Sequence, residues 1–249
     1  IMQLNKKKLV HVRLGFGLHF GRAVKGAIGS DRKLDVTYIS SNVELAEWLE
    51  GSTKTYGVNL LMTREFHHLL SIDIKGLCRI VDKIKIRMLA TDNDEEDPKL
   101  EHIAPTKIYT LDLDIQGLKD YRNRVLNNSI SQDESDGFGG GGGGKLTSEY
   151  LEELKVYSKS IWKKDKDLRV MRGKVDTEFL TTFGGAFQSF FKGEWDNAYA
   201  VFDKLVDECD DGVSNHFLNI IEKWRKKRGA GAGQCPRDFH GFCIEGHDW

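Results

Sequence analysis

The chain of 249 residues has few cysteines, no long hydrophobic run and almost no net charge, and each absence excludes a class of protein. Four cysteines are too few for a disulfide-stabilised secreted fold, so we expect an intracellular protein on the cytoplasmic side. No apolar stretch approaches the ~18 residues that a membrane-spanning helix needs. The formal charge of -1 provides no basic field that would attract nucleic acid.

What the chain does contain is enough apolar sequence, 39%, to fill the cores of one large or two modest globular domains. Its first residue is Ile1 rather than methionine, so we expect it to be one piece of a longer protein. Attachment of that protein to a membrane or to a cytoskeletal (ciliary) assembly through its other parts stays open.

Glycine is concentrated in the tract 127–144, which includes six consecutive glycines. This composition cannot form a packed element and is typical of a flexible linker. The tract predicts three regions: a first domain over 1–120, a linker over 121–147 and a helical part over 148–249.

Local patterns in the first region predict an α+β fold. A helix is predicted from about 42 to 55, because Ser41 and Glu44 match the Ser-x-x-Glu capping box and Gly57 follows its end. The other predicted elements are two strands within 9–30, strands over 35–39, 58–62, 79–87 and 107–114, and a short helix over 64–70.

The same region contains a pattern of spaced glycines followed by a helix and a Thr-Lys-x-Tyr-Gly exit. Its members are Gly17, Gly21, Gly26, Gly29, Val43, Ala46, Leu49, Glu50, Thr53, Lys54, Tyr56 and Gly57. This pattern resembles the C-terminal half of a class III adenylyl/guanylyl cyclase catalytic domain, most closely of the protist type. The resemblance implies the C-terminal part of a ferredoxin-like α+β sandwich, followed here by a small all-α domain.

The resemblance also implies a catalytic asparagine and, four residues later on the same helical face, a catalytic arginine. Glu44 and Trp48 occupy these two positions. A carboxylate would repel a nucleotide triphosphate, and loss of a transition-state arginine costs on the order of 10³ to 10⁵ in rate. We therefore predict that this chain alone is inactive at its own, degenerate site.

Each of these residues also has a structural interpretation. Glu44 fits a helix-capping role, whereas Trp48 falls beside Glu47 on the polar side of the helix, away from the apolar arc. An aromatic residue there is typical of an interface, although coverage by another part of the chain is an alternative. We predict Trp48 and Glu47 as contacts for a partner cyclase domain.

The resemblance assigns weaker nucleotide-binding roles to Thr37, for the base, and to Arg87, for the triphosphate. A strand threonine and a solvated strand-end arginine are the simpler interpretations. The metal-binding aspartates of the family lie in a segment that precedes the matching part, so no metal site or cofactor is predicted here. Mg²⁺ or Mn²⁺ would be bound only if a complementary cyclase half supplied those aspartates.

The last region shows helical spacing of aromatic and apolar residues, beginning with a phenylalanine at every fourth position. The residues are Phe179, Phe183, Phe187, Phe191, Trp195, Ala198, Tyr199, Phe202, Leu205, Val206, Phe217, Ile220, Ile221 and Trp224. They predict three packed helices, the first two resembling one tetratricopeptide-like pair.

Near the end of the chain, two cysteines and two histidines fall within thirteen residues. Cys235, His240, Cys243 and His247 are chemically suited to zinc, but their spacing differs from that of common zinc fingers. The segment from Pro236 to Gly241 instead resembles the non-metal Pro-x-Asp-aromatic-x-Gly tail that follows protist cyclase domains.

Two functions of different class follow. The chain is a partner or regulatory half of an adenylate/guanylate cyclase in cyclic-nucleotide signalling, pairing with another cyclase-type domain as a homo- or heterodimer. Alternatively, it is a non-enzymatic pseudo-cyclase that serves as a scaffold in a larger assembly. ATP or GTP binding and the preference between the two bases stay open.

Overall fold

The computed structural model describes residues 14–30, 32–89, 100–102, 104–128, 160–228 and 235–244. The strands are β1 Phe16–Leu18, β2 Val24–Ser30, β3 Lys33–Ile39, β4 Leu60–Thr63, β5 Cys78–Lys85, β6 Arg87–Leu89, β7 Leu100–His102, β8 Thr106–Leu111 and β9 Cys243–Ile244. The helices are α1 Ser41–Tyr56, α2 Arg64–Leu69, α3 Ile72–Lys75, α4 Ile115–Asn128, α5 Lys166–Met171, α6 Thr177–Phe191, α7 Trp195–Cys209 and α8 Gly212–Arg228.

The main sheet of the described residues has five strands in the order β1-β4-β8-β5-β9. Strand β8 runs antiparallel to β4 and β5, whereas β1 is parallel to β4 and β9 is parallel to β5. Helix α1 packs against β1 and β4. This α+β arrangement, compatible with a ferredoxin-like cyclase domain followed by helices, confirms the predicted fold class.

Helix α1 begins one residue earlier than the predicted capping box requires. Ser40 has extended backbone, and its hydroxyl oxygen accepts the Asn42 N–H at 3.1 Å while donating to the Arg22 carbonyl at 2.7 Å. Ser41 is already helical and Glu44 is the fourth residue of the helix, so the predicted Ser41–Glu44 box is wrong. The hydroxyl that caps the helix is the one held by the neighbouring loop.

One face of α1 is buried at intervals of three and four residues, as an amphipathic helix requires, by Leu45, Leu49, Thr53 and Tyr56. The helix ends at Gly57, whose φ of 65° lies in the left-handed region that favours glycine. The Gly57 N–H bonds to carbonyls of the last turn, including that of Lys54. The predicted helix and its glycine stop are confirmed.

The three predicted C-terminal helices are confirmed as α6, α7 and α8, with α6 packing on α7 and α7 on α8. Aspartate side chains begin two of them: Asp176 accepts the Phe179 N–H at 2.8 Å, and Asp211 accepts the Ser214 N–H at 2.9 Å. Most of the predicted aromatic core is buried, with Phe183, Trp195, Phe202 and Phe217 at 0–1% exposure. Phe191 is only partly buried, whereas its neighbour Phe190, which the four-residue period did not include, is fully buried. The tetratricopeptide-like character of α6 and α7 stays a prediction.

These helices share one buried core with the sheet. The cluster includes Leu49 of α1, Val81 of β5 and Ile108 of β8 together with Phe183 and Phe217. Helix α4, which the sequence patterns missed, extends through residues 121–128 of the predicted linker, and residues 129–147 lie outside the described residues. The division into domains stays a prediction.

Strands β2 and β3 form a separate two-stranded antiparallel hairpin, here called the arm, with Val24 opposite Ile39 and Ser30 opposite Lys33. Its residues are mostly exposed. A second small hairpin pairs β6 with β7.

Candidate functional site

The outer surface of α1 contains the two positions, 44 and 48, that the sequence predicts to be degenerate. Glu44 and Glu47 are exposed, whereas Trp48 is half-buried and packs against the hydrophobic core of the same chain. The position expected for a catalytic asparagine therefore presents a carboxylate to solvent. The position expected for a catalytic arginine presents an indole that the chain itself partly covers.

The first turn of α1 is tied to the loop that leads into the arm by a network of polar side chains. His19 lies between Asn42 and Thr63: its Nε2 is 2.9 Å from the Asn42 oxygen and its Nδ1 is 2.8 Å from the Thr63 hydroxyl. The Asn42 amide also donates to the Arg22 carbonyl at 2.7 Å. A Cβ at Gly21 would lie 2.3 Å from the Asn42 side chain, so a larger residue there would displace Asn42 from this network.

This network fixes where the arm leaves the body of the protein. Because Ser40 and Asn42 both bond to the Arg22 carbonyl, the start of β2 is held against the start of α1. The base of the arm therefore lies beside the first turn of α1.

The two predicted nucleotide contacts lie on different elements. Thr37 is partly buried on β3, opposite Gly26 in the arm. Arg87 begins β6, opposite His102, and β6 contacts α1. Helix α1 thus lies between them in the chain and touches the strand that begins at Arg87.

The arm is the most apolar exposed feature among the described residues. In an antiparallel pair, directly opposite residues share a face. One face carries Val24, Ile28 and Ile39, exposed by 70%, 53% and 56%, and the other carries Leu34, Val36 and Tyr38, exposed by 70%, 62% and 55%. An isolated two-stranded hairpin is marginally stable in water, so apolar side chains on both faces favour a protein contact.

A fully buried carboxylate lies at the opposite end of α1. The Tyr56 hydroxyl donates to Asp82 Oδ2 at 2.6 Å, the Lys83 N–H donates to Oδ1 at 2.6 Å, and the Cys243 thiol also hydrogen-bonds to this carboxylate. Burial raises the pKa of Asp82 to about 6, although these hydrogen bonds oppose the rise. The contact joins α1, β5 and the C-terminal strand.

A second buried ionic group joins the sheet to the C-terminal helices. The Arg79 guanidinium donates to both oxygens of Asp112 at 2.8 Å and to those of Asp211 at 2.6 and 3.1 Å. Burial lowers the pKa of Arg79, but the two carboxylates outweigh it and hold that pKa above its ordinary value. The guanidinium also lies 4.5 Å from the ring centre of Phe183.

No group of three or more metal-ligating side chains occurs among the residues that the structure describes. Cys243, one of the four zinc candidates, hydrogen-bonds to Asp82, and Cys235 lies against Gly193. His247 lies outside the described residues. Within the same part of the chain, none of the helices is long and apolar enough to cross a membrane.

The contacts of His19, Arg79 and Asp82 were not found by sequence reasoning. Arg79 and Asp82 had a visible signal, since they interrupt the apolar strand pattern of 78–85 at positions that face inward. His19 had none, because its partners Asn42 and Thr63 are far away in the sequence.

Part of the chain is similar to known adenylate cyclases. It is 36% identical over 87 residues to an adenylate cyclase of Anabaena cylindrica and 40% identical over 83 residues to adenylate cyclase 1 of Rhizobium meliloti (strain 1021). The matched segments cover 34% and 33% of this chain but 17% and 11% of the relatives, so the chain spans less than a fifth of their length. No family model matches the chain. These similarities support a cyclase-related domain within it.

Proposed function

We propose that this chain is a catalytically degenerate, cyclase-related half that pairs with another cyclase-type domain in intracellular cyclic-nucleotide signalling. It acts as a partner or regulatory half rather than as a source of turnover. In this role, the assembly has adenylate or guanylate cyclase activity, and this chain contributes a folded half with an interface rather than catalytic residues.

The observation that carries this proposal is the chemistry of the α1 surface. Cyclisation of a nucleotide builds negative charge on the phosphates, which a catalytic arginine would stabilise. Here an exposed carboxylate, Glu44, stands near the start of the helix, and Trp48 brings no charge. The similarity to adenylate cyclases supports the fold of this half, while these two residues argue against turnover at its own site.

The arm supports the pairing part of the proposal. Its apolar side chains cover both faces, and its base is fixed beside the first turn of α1 by Asn42. A partner that contacts α1 would therefore meet the arm as well. We assign a cyclase-type domain as that partner, because the arm and α1 both lie within the glycine-patterned region that resembles cyclases.

Cofactors enter the proposal only through the partner. A complementary half that carried the metal-binding aspartates would supply Mg²⁺ or Mn²⁺, and Thr37 and Arg87 are the residues of this chain that we propose as nucleotide contacts in such an assembly. Neither residue makes the chain a nucleotide-binding protein by itself.

The proposal is tested by measuring activity and association together. The chain is incubated with ATP or GTP and Mg²⁺ or Mn²⁺, alone and mixed with the matched catalytic segment of the Anabaena cylindrica enzyme, and cyclic nucleotide is quantified. We expect no product from the chain alone. We expect the Glu44→Asn/Trp48→Arg double variant to raise the product of the mixture at least about tenfold, because it restores transition-state groups. Efficient turnover by the unmodified chain alone would contradict degeneracy.

Association is measured on the same samples by analytical ultracentrifugation. We expect the chain to associate with itself or with the cyanobacterial segment, and Val36→Lys in the arm to weaken that association at least tenfold. Ile72→Lys is the matched control, because Ile72 is also an exposed apolar residue, at 82%, but lies on α3. Absence of association with either probe would contradict the pairing.

A scaffolding role without any cyclase partner is the second candidate. The observation that favours it is the same arm, whose apolar faces would suit a partner of another kind. Association that Val36→Lys abolishes, with no product under any nucleotide or metal condition and no gain from the double variant, would favour this reading.

A further inference from the structure

The C-terminal end of α1 touches the N-terminal end of α8 backbone to backbone. A Cβ at Gly212 would lie 2.7 Å from the Gly57 Cα and 2.8 Å from the Tyr56 carbonyl oxygen. A Cβ at Gly57 would lie 2.8 Å from the Gly212 Cα. Since real Cβ atoms are not found this close to backbone, the two helix ends meet only because both residues are glycines.

Side chains beside the two glycines extend this contact. The His216 ring lies 4.5 Å from the Tyr56 ring, centre to centre, and the Tyr56 hydroxyl reaches Asp82 in the sheet. The last residue of α1 is therefore held by α8 on one side and by β5 on the other.

The start of α8 is itself fixed to the sheet by Asp211, which has two roles. Its Oδ2 accepts the N–H and the hydroxyl of Ser214 at 2.9 and 2.6 Å, which caps the helix, while both oxygens accept from Arg79. The side chains of Arg79 and Asp211 are only 5% and 6% exposed. Movement of α8 relative to the sheet would break a buried ion pair and a helix cap together.

We infer that the C-terminal helices hold α1 in position. Helix α8 contacts the C-terminal end of α1 and thereby positions the surface of α1 that faces a partner. Helix α1 has 16 residues and is therefore about 24 Å long. A rod of this kind transmits displacement of its C-terminal end to the turn that carries Glu44 and to the base of the arm. Gly57, Gly212 and His216 are positioning residues, and neither glycine belongs to the surface that meets a partner. The effect on a partner rests on the function proposed above, whereas the positioning of α1 by α8 does not.

The test compares two glycine-to-alanine changes in helices. Gly212→Ala inserts a methyl group between the two helix ends, and the φ of Gly212 is not in the left-handed region, so the new contact is the only strain. Gly184→Ala in α6 is the matched control, because a Cβ there meets nothing within 4 Å. Amide hydrogen exchange and self-association, or association with the cyanobacterial segment, are measured for both variants and for the unmodified chain.

For Gly212→Ala we expect amides in the last two turns of α1 to exchange at least tenfold faster while those of α6 and α7 change less than threefold, and association to weaken about tenfold. Gly184→Ala should change neither readout. As a second probe that adds no steric strain, His216→Ala should shift both readouts in the same direction, and His216→Phe should restore them because it keeps a ring against Tyr56.

If amide exchange in α1 is unchanged in both Gly212→Ala and His216→Ala, the inference that α8 positions α1 is wrong. Faster exchange with unchanged association would overturn the positioning of the partner surface while leaving the pairing intact. Failure of the unmodified chain to associate would instead contradict the proposed function. The exchange data would still test whether α8 positions α1.

Discussion

At the scale of single residues, Asp82 and His216 are buried near Tyr56 and have pKa values displaced in opposite directions. Burial raises the pKa of Asp82 from 3.8 to about 6, and burial lowers the pKa of His216 from 6.5 to about 4. Both shifts have the same cause, since a buried site disfavours the charged form of either group. Both groups are therefore neutral in the folded protein at about pH 5.

Their contributions to stability have opposite dependence on pH. Because the folded pKa of Asp82 is raised, its contribution is present below pH 3.8 and is lost as the pH rises through about 6. Because the folded pKa of His216 is lowered, its contribution is present above pH 6.5 and is lost as the pH falls through about 4. At about 1.4 kcal/mol for each pH unit of displacement, each term amounts to roughly 3 kcal/mol.

We predict that when either group is removed, the free energy of unfolding depends on pH through the group that remains. Relative to the unmodified chain, Asp82→Asn should make stability rise more steeply with pH between 4 and 6.5, and His216→Phe should make it fall over that interval. The free energy of unfolding in urea, measured at half-unit steps from pH 4 to 7, checks both. Parallel pH profiles for the three proteins would contradict the assigned burial.

At the scale of elements, α1 offers a pair of substitutions with opposite expected effects. Ser40→Ala removes the side chain that caps the helix and should destabilise the protein by about 1 kcal/mol. Gly51→Ala should stabilise it by up to about 1 kcal/mol, because Gly51 is exposed and a Cβ there meets nothing within 4 Å. Urea unfolding at one pH measures both, and a shift of both variants in the same direction would contradict the assigned helix start.

Element-level prediction from the sequence succeeded where a local period was strong. Phe179, Phe183 and Phe187 are spaced by four residues and all lie on the buried face of α6, and Gly57 ends α1 as expected. It failed for α4, whose sequence is largely polar, and at the start of α1, where Ser41 matched the capping box but Ser40, whose hydroxyl also donates to the Arg22 carbonyl, caps the helix.

At the candidate site, the sequence could predict the exposure of some side chains but not their contacts. Glu44 and Glu47 are exposed as their positions on an amphipathic helix require, whereas Trp48 is partly covered by the core. The pairing of Arg79 with Asp211 joins residues 132 positions apart, and no periodicity or motif reports such a contact. Contacts between residues this far apart in the sequence are visible only in the three-dimensional structure.

At the scale of the whole molecule, the buried ion pair predicts that the sheet and the C-terminal helices unfold together. Arg79→Met leaves Asp112 and Asp211 without their shared cation and should cost about 3–5 kcal/mol. Urea unfolding followed by circular dichroism, by tryptophan fluorescence and by exchange of amides in β5 should show one shifted transition.

Lys204→Met is the control, because its ion pair with Glu208 is exposed and should be worth less than about 1 kcal/mol. Two separate transitions in the unmodified chain, or a loss in Arg79→Met confined to the helical probes, would contradict a shared core.

The meeting of Gly57 with Gly212 also bears on how this chain can vary. Gly57 ends α1 in a left-handed conformation and is in contact with a second helix. Glycine is therefore required at this position for two independent reasons, the backbone conformation and the lack of space for a side chain. A motif position that serves only a reaction can vary freely once the reaction is lost. Gly57 lacks that freedom here, because any side chain at this position would push two helices apart whether or not a nucleotide is ever turned over.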